Sequence, residues 1–330
     1  MKAFEYAAPS TEAEAIELMT ERAGTVEILA GGTDLVGLMK QMLVNPDRVV
    51  NLMEIRSLRE IEPTPSGGVS IGAAVSLEQI LDSHYLDPYA SLKQAINNIS
   101  SMQLRCQGTL GGELCQRPQC WFFRGGHGLL GDDGRAVAQG DNRYHAVFAN
   151  AGPAKFVNNS RLAPALIVRD ARLRIVGPSP DAEQWVDLAD FYRIPRHGEQ
   201  RENVLRAGQF VSHIELPDPG SFQCATYEVR QGAGPEYPLT AAAARLNVQS
   251  GVVRDAKIVL GHVAPTPWRS EDAEHELIGK PLTAETIEAA GLAAIRLATP
   301  LSRNEYKVTL AQVSVERAVR MAAGLPPGGF

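Results

Sequence analysis

Residues 28–41 read ILAGGTDLVGLMKQ. An apolar run is stopped by Gly31 and Gly32, and apolar residues at helical spacing begin directly after Asp34. VEILA, just upstream, predicts a strand, and RVVNL at 48–52 predicts another. The unit is therefore strand, glycine turn, helix, strand. Glycine in such a turn tolerates positive φ and lets the backbone approach a ligand with no Cβ in the way. Successive N–H groups of Gly31 and Gly32, the Thr33 hydroxyl and the partial positive end of the following helix make a cradle suited to phosphate. A Gly-Gly turn between a strand and a helix is also an ordinary connection, and this stretch alone leaves both readings open.

A second stretch, CQGTLGGELCQ at 106–116, again places a threonine, Thr109, two residues before a glycine pair, Gly111 and Gly112. Two such turns suit the two halves of a pyrophosphate. Neither fits G-x-G-x-x-G, which disfavours an ordinary dinucleotide fold.

Outward from these turns the elements alternate. TEAEAIELMTER predicts an amphipathic helix that begins near Ser10 and Thr11 as N-caps and runs out at Gly24. GGVSIGAAVSLEQIL opens a second unit with an alternating strand, and LKQAINNIS supplies a helix. ELPDPGSF, residues 215–222, breaks the pattern with two prolines and a glycine, and a domain boundary is expected there. Beyond it CATYEVR and DAKIVLGHV predict strands, whereas PLTAAAARL, TAETIEAAGLAAIRLA and LAQVSVERAVRMAAG predict helices. A small sheet covered by helices accommodates that order.

The whole chain, 330 residues with 44% hydrophobic and 21% charged, reads as a soluble two-domain protein. A net charge of -6 without a basic stripe excludes a nucleic-acid footprint. No run reaches membrane-spanning length, and MKAFEYAAPSTEAEAIELM lacks the basic start and apolar stretch of a secretory signal. Four cysteines form no disulfide framework, so a cytoplasmic, reducing compartment is expected. His127, His145, His213 and His262 show no metal-ligand spacing, and no metal site is expected from them.

AGGTDL at 30–35 together with TLGGEL at 109–114 resembles the FAD-binding subunit of the molybdenum hydroxylases, the group of xanthine dehydrogenase, CO dehydrogenase and aldehyde oxidoreductase. The likeness runs nearly end to end, through MKAFEYAAPST, CWFFR, NRYHAVF, IVLGHVAPTPWRSEDAE, GKPLT and NEYKVTLAQ. Its middle motifs look most like the periplasmic-type aldehyde oxidoreductase branch. The resemblance implies an α+β fold: a two-part FAD-binding domain of the CO dehydrogenase flavoprotein type over 1–220, divided near 55, then a small antiparallel sheet with a helical layer over 221–330. It implies FAD contacts at Ile28, Leu29, Ala30, Gly31, Gly32, Thr33, Asp34 and Leu35, and at Thr109, Gly111 and Gly112. Further contacts are implied at Ile99, Glu113, Arg161, Leu162, Val211 and Glu228.

Three of those positions depart from the pattern. Glu113 stands where the second motif usually has asparagine, Arg161 where the family has the aspartate of its SDL motif, and Glu228 where it has a lysine. Members of this branch can also carry a [4Fe-4S] cluster on a loop between the second motif and SDL, held by four cysteines. Here only Cys120 matches; the other ligand positions fall near His127, at Arg135 and at Gly152. No [4Fe-4S] cluster is expected on this chain. The resemblance further implies a molybdopterin-binding large subunit and a [2Fe-2S] small subunit as partners, with electrons passed through FAD to an outside acceptor. Export alongside a signal-bearing partner is then the alternative to a cytoplasmic location. A flavin-free assembly subunit of the same complex is the rival reading, and a free-standing flavin oxidase is a weaker third.

Overall fold

The computed structural model describes residues 1–20, 25–232 and 234–328. The first layer is a three-stranded parallel sheet of β1 (Glu5–Ala7), β2 (Val26–Leu29) and β3 (Arg48–Asn51), with β3 in the centre. Helix α1 (Glu12–Thr20) starts as its caps require: Glu14 N–H donates to Thr11 Oγ1 at 3.2 Å, and Glu14 Oε2 accepts from Ser10 N–H at 2.8 Å. Its expected end at Gly24 lies outside the described residues. Ala15 and Ile16 pack on Val50, Leu52, Ile55 and Leu58. β2, an edge strand, stays half-exposed along its length, and α2 (Leu35–Lys40) follows its glycine turn.

The second layer is a five-stranded antiparallel sheet in the order β4-β5-β8-β6-β7, built from β4 (Ile61–Pro63), β5 (Val69–Gly72), β6 (Arg172–Val176), β7 (Glu183–Asp187) and β8 (Phe210–Leu216). Between β5 and β6 run α3 (Leu77–Asp82), α4 (Ala90–Asn97), α5 (Met102–Gln107) and α6 (Leu110–Cys115). An insertion with α7 (Trp121–Arg124) and α8 (Arg135–Gln139) leads to the wholly buried α9 (Leu162–Ile167). A short α10 (Leu188–Phe191) follows β7.

The third layer is an antiparallel sheet, β12-β11-β10-β9, from β9 (Gln223–Val229), β10 (Thr240–Gln249), β11 (Val252–Gly261) and β12 (Trp268–Arg269). It is covered by α11 (Glu271–Leu277), α12 (Ala284–Ala294) and α13 (Tyr306–Ala322).

One expectation fails here: PLTAAAARL forms the strand β10 and not a helix. Its alanines are buried on both faces. Ala243 joins the core of the second layer, while Ala242 and Ala244 join the core beneath α11 to α13. A continuous run of small apolar residues carries no period, so tertiary packing overrides the high helix propensity of alanine.

Candidate functional site: a cleft with two unequal glycine turns

A cleft of about 1130 Å³ opens along the exposed edge of β2. Two stretches supply most of its lining, β2 with the first glycine turn as the first wall and the segment 193–211 that leads into β8 as the second. The second turn and its helix α6 contribute Thr109, Gly111, Gly112, Cys115 and Gln116.

The first turn fits an anion. Among the described residues, the backbone N–H groups of Gly31, Gly32, Thr33, Asp34 and Leu35 have no acceptor; Thr33 is exposed and the other four are partly exposed. Gly32 holds this shape at φ 71°, in the left-handed region that disfavours other residues. Gly31 is glycine for another reason: a Cβ there would collide with the backbone carbonyl of Gln107 at the end of α5. Gln107 Nε2 donates to Gly31 O at 3.1 Å, tying the two glycine stretches together.

The second turn is no free cradle. Leu110 N–H donates to Val75 O at 2.9 Å and Gly111 N–H to Ala73 O at 2.8 Å. Gly112 N–H is taken by Thr109 Oγ1 at 3.2 Å, the N-cap of α6, and Glu113 N–H by Thr109 O at 2.8 Å. Gly111 packs its Cα face on Ala73, where an added Cβ would lie 2.7 Å from Ala73 Cβ. This turn shapes the cleft; the first one offers the donors.

Of the residues expected to contact a cofactor, Ile28, Ala30, Gly31, Gly32, Thr33, Asp34, Leu35, Thr109, Gly111, Gly112 and Val211 line the cleft. Leu29, Ile99, Glu113, Arg161, Leu162 and Glu228 do not. Ile99 and Leu162 are buried in the core of the second layer. The Asp34 carboxylate is committed to structure: it accepts from Arg117 N–H at 2.8 Å and pairs with Arg124 at 2.7 Å, which ties the insertion to the first turn.

Glu113, Arg161 and Glu228 converge although they lie far apart in the chain. Glu113 Oε1 accepts from Arg161 N–H at 2.7 Å and Oε2 from Gln116 Nε2 at 2.8 Å. The Arg161 guanidinium reaches the carbonyls of Asn98 and Glu236 and stacks 5.6 Å over the Tyr237 ring. Desolvation pushes the Glu113 carboxyl up to about 7; Arg161 opposes the rise and Glu228 adds to it. Glu228 is likewise pushed up to about 7 by desolvation, against the pull of Arg161 and Arg230. Arg161 thus acts electrostatically on both buried acids, Glu113 and Glu228.

The insertion packs on α2 through a small apolar centre, with Leu38 of α2 and Phe123, Leu129, Leu130, Ala154 and Phe156 buried and Cys120 packed against them. Cys120 Sγ lies 3.1 Å from His145 Nε2. Burial drives the His145 imidazole down to about 4, so it is neutral near neutral pH. Lys307 Nζ, buried, donates to the carbonyls of Tyr144, His145 and His262. Desolvation brings it down to about 7. Among the described residues no group of three or more His, Cys, Asp or Glu side chains is placed to hold a metal.

Sequence reasoning missed the second wall. Arg193, Arg196, Arg201 and Arg206 line it, and in the sequence they look like loop charges in water. Only the density of arginine between α10 and β8 hinted at them.

Comparison with known proteins places this geometry. Residues 2–219 match the family profile described as the FAD binding domain in molybdopterin dehydrogenase, and residues 225–322 match the CO dehydrogenase flavoprotein C-terminal domain. The chain belongs to this family of FAD-binding subunits and is an oxidoreductase subunit. It is 30% identical over 318 residues to the aldehyde oxidoreductase FAD-binding subunit PaoB of Escherichia coli (strain K12), covering 94% of this chain and 96% of that one. The carbon monoxide dehydrogenase medium chain of Hydrogenophaga pseudoflava is 25% identical, covering 97% and 96%. Among solved structures, carbon monoxide dehydrogenase from Hydrogenophaga pseudoflava superimposes with a TM-score of 0.77 at 25% identity, covering 97% of each chain. Quinoline 2-oxidoreductase from Pseudomonas putida 86 shares the fold, with a TM-score of 0.76 at 24% identity and coverage of 98% and 99%.

Proposed function

We propose that this chain is the electron-relay flavoprotein of a three-subunit molybdenum hydroxylase. It would take electrons from [2Fe-2S] centres of a small subunit, whose source is a molybdopterin-binding large subunit, and pass them through FAD to an external acceptor. The observation that carries the reading is the row of unpaired N–H groups from Gly31 to Leu35 along one wall of a cleft large enough for a dinucleotide. FAD, when bound, supplies the switch between two-electron and one-electron chemistry. The chain's own residues do the rest. Gly32 and its neighbours hold phosphate, Thr109 and Gly111 fix the shape of the facing turn, and Val211 at the start of β8 closes the apolar side.

The relay needs no acid–base pair on this chain. Cys120 is the single cysteine of the insertion, where a [4Fe-4S] cluster needs four thiolates, which supports a chain without such a cluster of its own. A flavin-free assembly role has one observation in its favour: Glu113, Arg161 and Glu228 do not line the cleft, and the Arg161 guanidinium is committed to the carbonyls of Asn98 and Glu236. Denaturing the purified complex and measuring released FAD per chain separates the two. One FAD per chain is expected, and none would leave the assembly role standing.

A further inference from the structure

The second wall of the cleft carries cations that the fold does not use. Among the described residues, the side chains of Arg193, Arg196 and Arg206 form no hydrogen bond or ion pair, although all three line the cleft. Their backbones are held in place. Arg193 N–H donates to Glu202 O at 2.9 Å, Arg196 N–H to Gln200 Oε1 at 2.7 Å and Arg206 N–H to Gln209 Oε1 at 3.0 Å. The other two cleft arginines are committed, Arg117 to Glu202 and Arg201 to Glu27 at 2.9 Å. The Arg201–Glu27 pair spans from this segment to β2 and so fastens it across the cleft. Of the carboxylates that line the cleft, Glu27 and Asp34 are paired and Glu199 alone has no cation. An exposed arginine needs no partner. Three of them sharing a cleft with five unpaired N–H groups leave positive potential on both walls and little negative charge between.

We propose that Arg193, Arg196 and Arg206 form a cationic strap that grips the phosphate groups of a dinucleotide bound in the cleft they share with the first glycine turn. The inference rests on the flavoprotein reading and adds where the affinity comes from: the adenosine diphosphate half, through charge. Guanidinium groups match phosphate oxygens in geometry, and their pull is screened by salt. FAD binding should therefore weaken as salt rises, ADP should compete, and riboflavin should bind poorly.

The test uses the purified protein with its co-purifying chains, stripped of nucleotide and titrated with FAD and, separately, with ADP at low and high salt. The variant R193Q/R196Q/R206Q is expected to melt like the wild type yet bind both ligands about tenfold more weakly or worse, with a flatter salt dependence. Unchanged affinity and salt dependence in the triple variant, with the wild type binding FAD, would overturn the strap and leave the flavin assignment intact. A wild type that takes up no FAD but binds ADP through these arginines would keep the strap and overturn the flavin assignment. Binding of neither ligand overturns both. Should the triple variant unfold, the single variants Arg193→Gln and Arg206→Gln, each on an exposed side chain, carry the same comparison.

Discussion

Gly31 and Gly32 are adjacent and do different work. Gly32 keeps a left-handed backbone within the row of five unpaired N–H groups that lines the cleft, with Leu29 Cδ1 and Val36 Cγ2 each 3.2 Å from where a Cβ would stand. A valine there meets a conformational cost of roughly 1–2 kcal/mol or more and tilts the row of donors. Gly31 instead lets the Gln107 carbonyl approach, and backbone cannot yield as a side-chain tip can. Gly32→Val is expected to lose most bound FAD with a modest fall in Tm, whereas Gly31→Ala should lose FAD and melt several degrees lower. Flavin absorbance per chain and a thermal melt check both, and full flavin content in Gly31→Ala would show that the contact between the turns is dispensable. The acids offer a second test at this scale. Glu113 and Glu228 titrate at about 7 in the folded chain, above the roughly 4.3 of a free glutamate. Between those values the folded state binds more protons than the unfolded state, so these groups make stability fall as pH rises from about 4.3 to about 7. Glu228→Gln removes one share of that loss. Its Tm should match the wild type near pH 5 and exceed it near pH 8; parallel curves across that span would mean Glu228 is not held protonated.

Strand β10 shows how an element can be set by its neighbours. Thr240 to Ala244 are buried in succession, with Ala243 facing one core and Ala242 and Ala244 the other, beneath α13. Small side chains set how closely that helix lies on the sheet. Ala244→Leu should overpack this contact and cost roughly 1–3 kcal/mol, read as a lower denaturant midpoint with an unchanged slope. No loss would mean that the layer beneath α13 has room to spare. The same strand marks the limit of what the sequence discloses. VEILA and RVVNL are short apolar runs next to turn residues, the helix at 306–322 carries a helical period, and the structure makes elements of the expected type there. PLTAAAARL carries no period, and its fate is decided by layers contributed from far along the chain. The candidate site divides in the same way. Gly31, Gly32 and Thr109 announce themselves through local backbone chemistry. The meeting of Glu113, Arg161 and Glu228, and the arginines of the second wall, depend on which segments the fold brings together. The alike spelling of the two glycine turns also concealed that only the first keeps free N–H groups, because the acceptors Val75 O and Ala73 O belong to a strand end some thirty-five residues away.

At the scale of the molecule, the three layers are bound through shared cores. Ala243 and Val259 of the last sheet join the core of the second layer, and the Asp34–Arg124 pair joins the insertion to the first. That insertion turns two kinds of aromatic residue in opposite directions. Phe123 is buried in its apolar centre, whereas Trp121 is 38% exposed and stands 5.3 Å from Tyr144, which is also 38% exposed. Tyr306, 41% exposed, reaches the same segment through its hydroxyl bond to Arg143 O at 2.8 Å. A relay flavoprotein has to sit close to its redox partner, and a group of partly exposed aromatic rings is the kind of anchor that permanent interfaces use. Trp121→Asp is therefore expected to leave the chain folded, since its core is Phe123 and not Trp121, while an unpaired charge in the interface weakens docking of the proposed [2Fe-2S] subunit by about 2 kcal/mol or more. Co-purification with a melt of the isolated chain reads both effects at once. A folded, fully assembled variant would remove Trp121 from any interface. A variant that fails to fold would instead assign the tryptophan to the packing of the insertion, and Tyr306→Ala, on the neighbouring ring, would then show whether this face meets a partner at all.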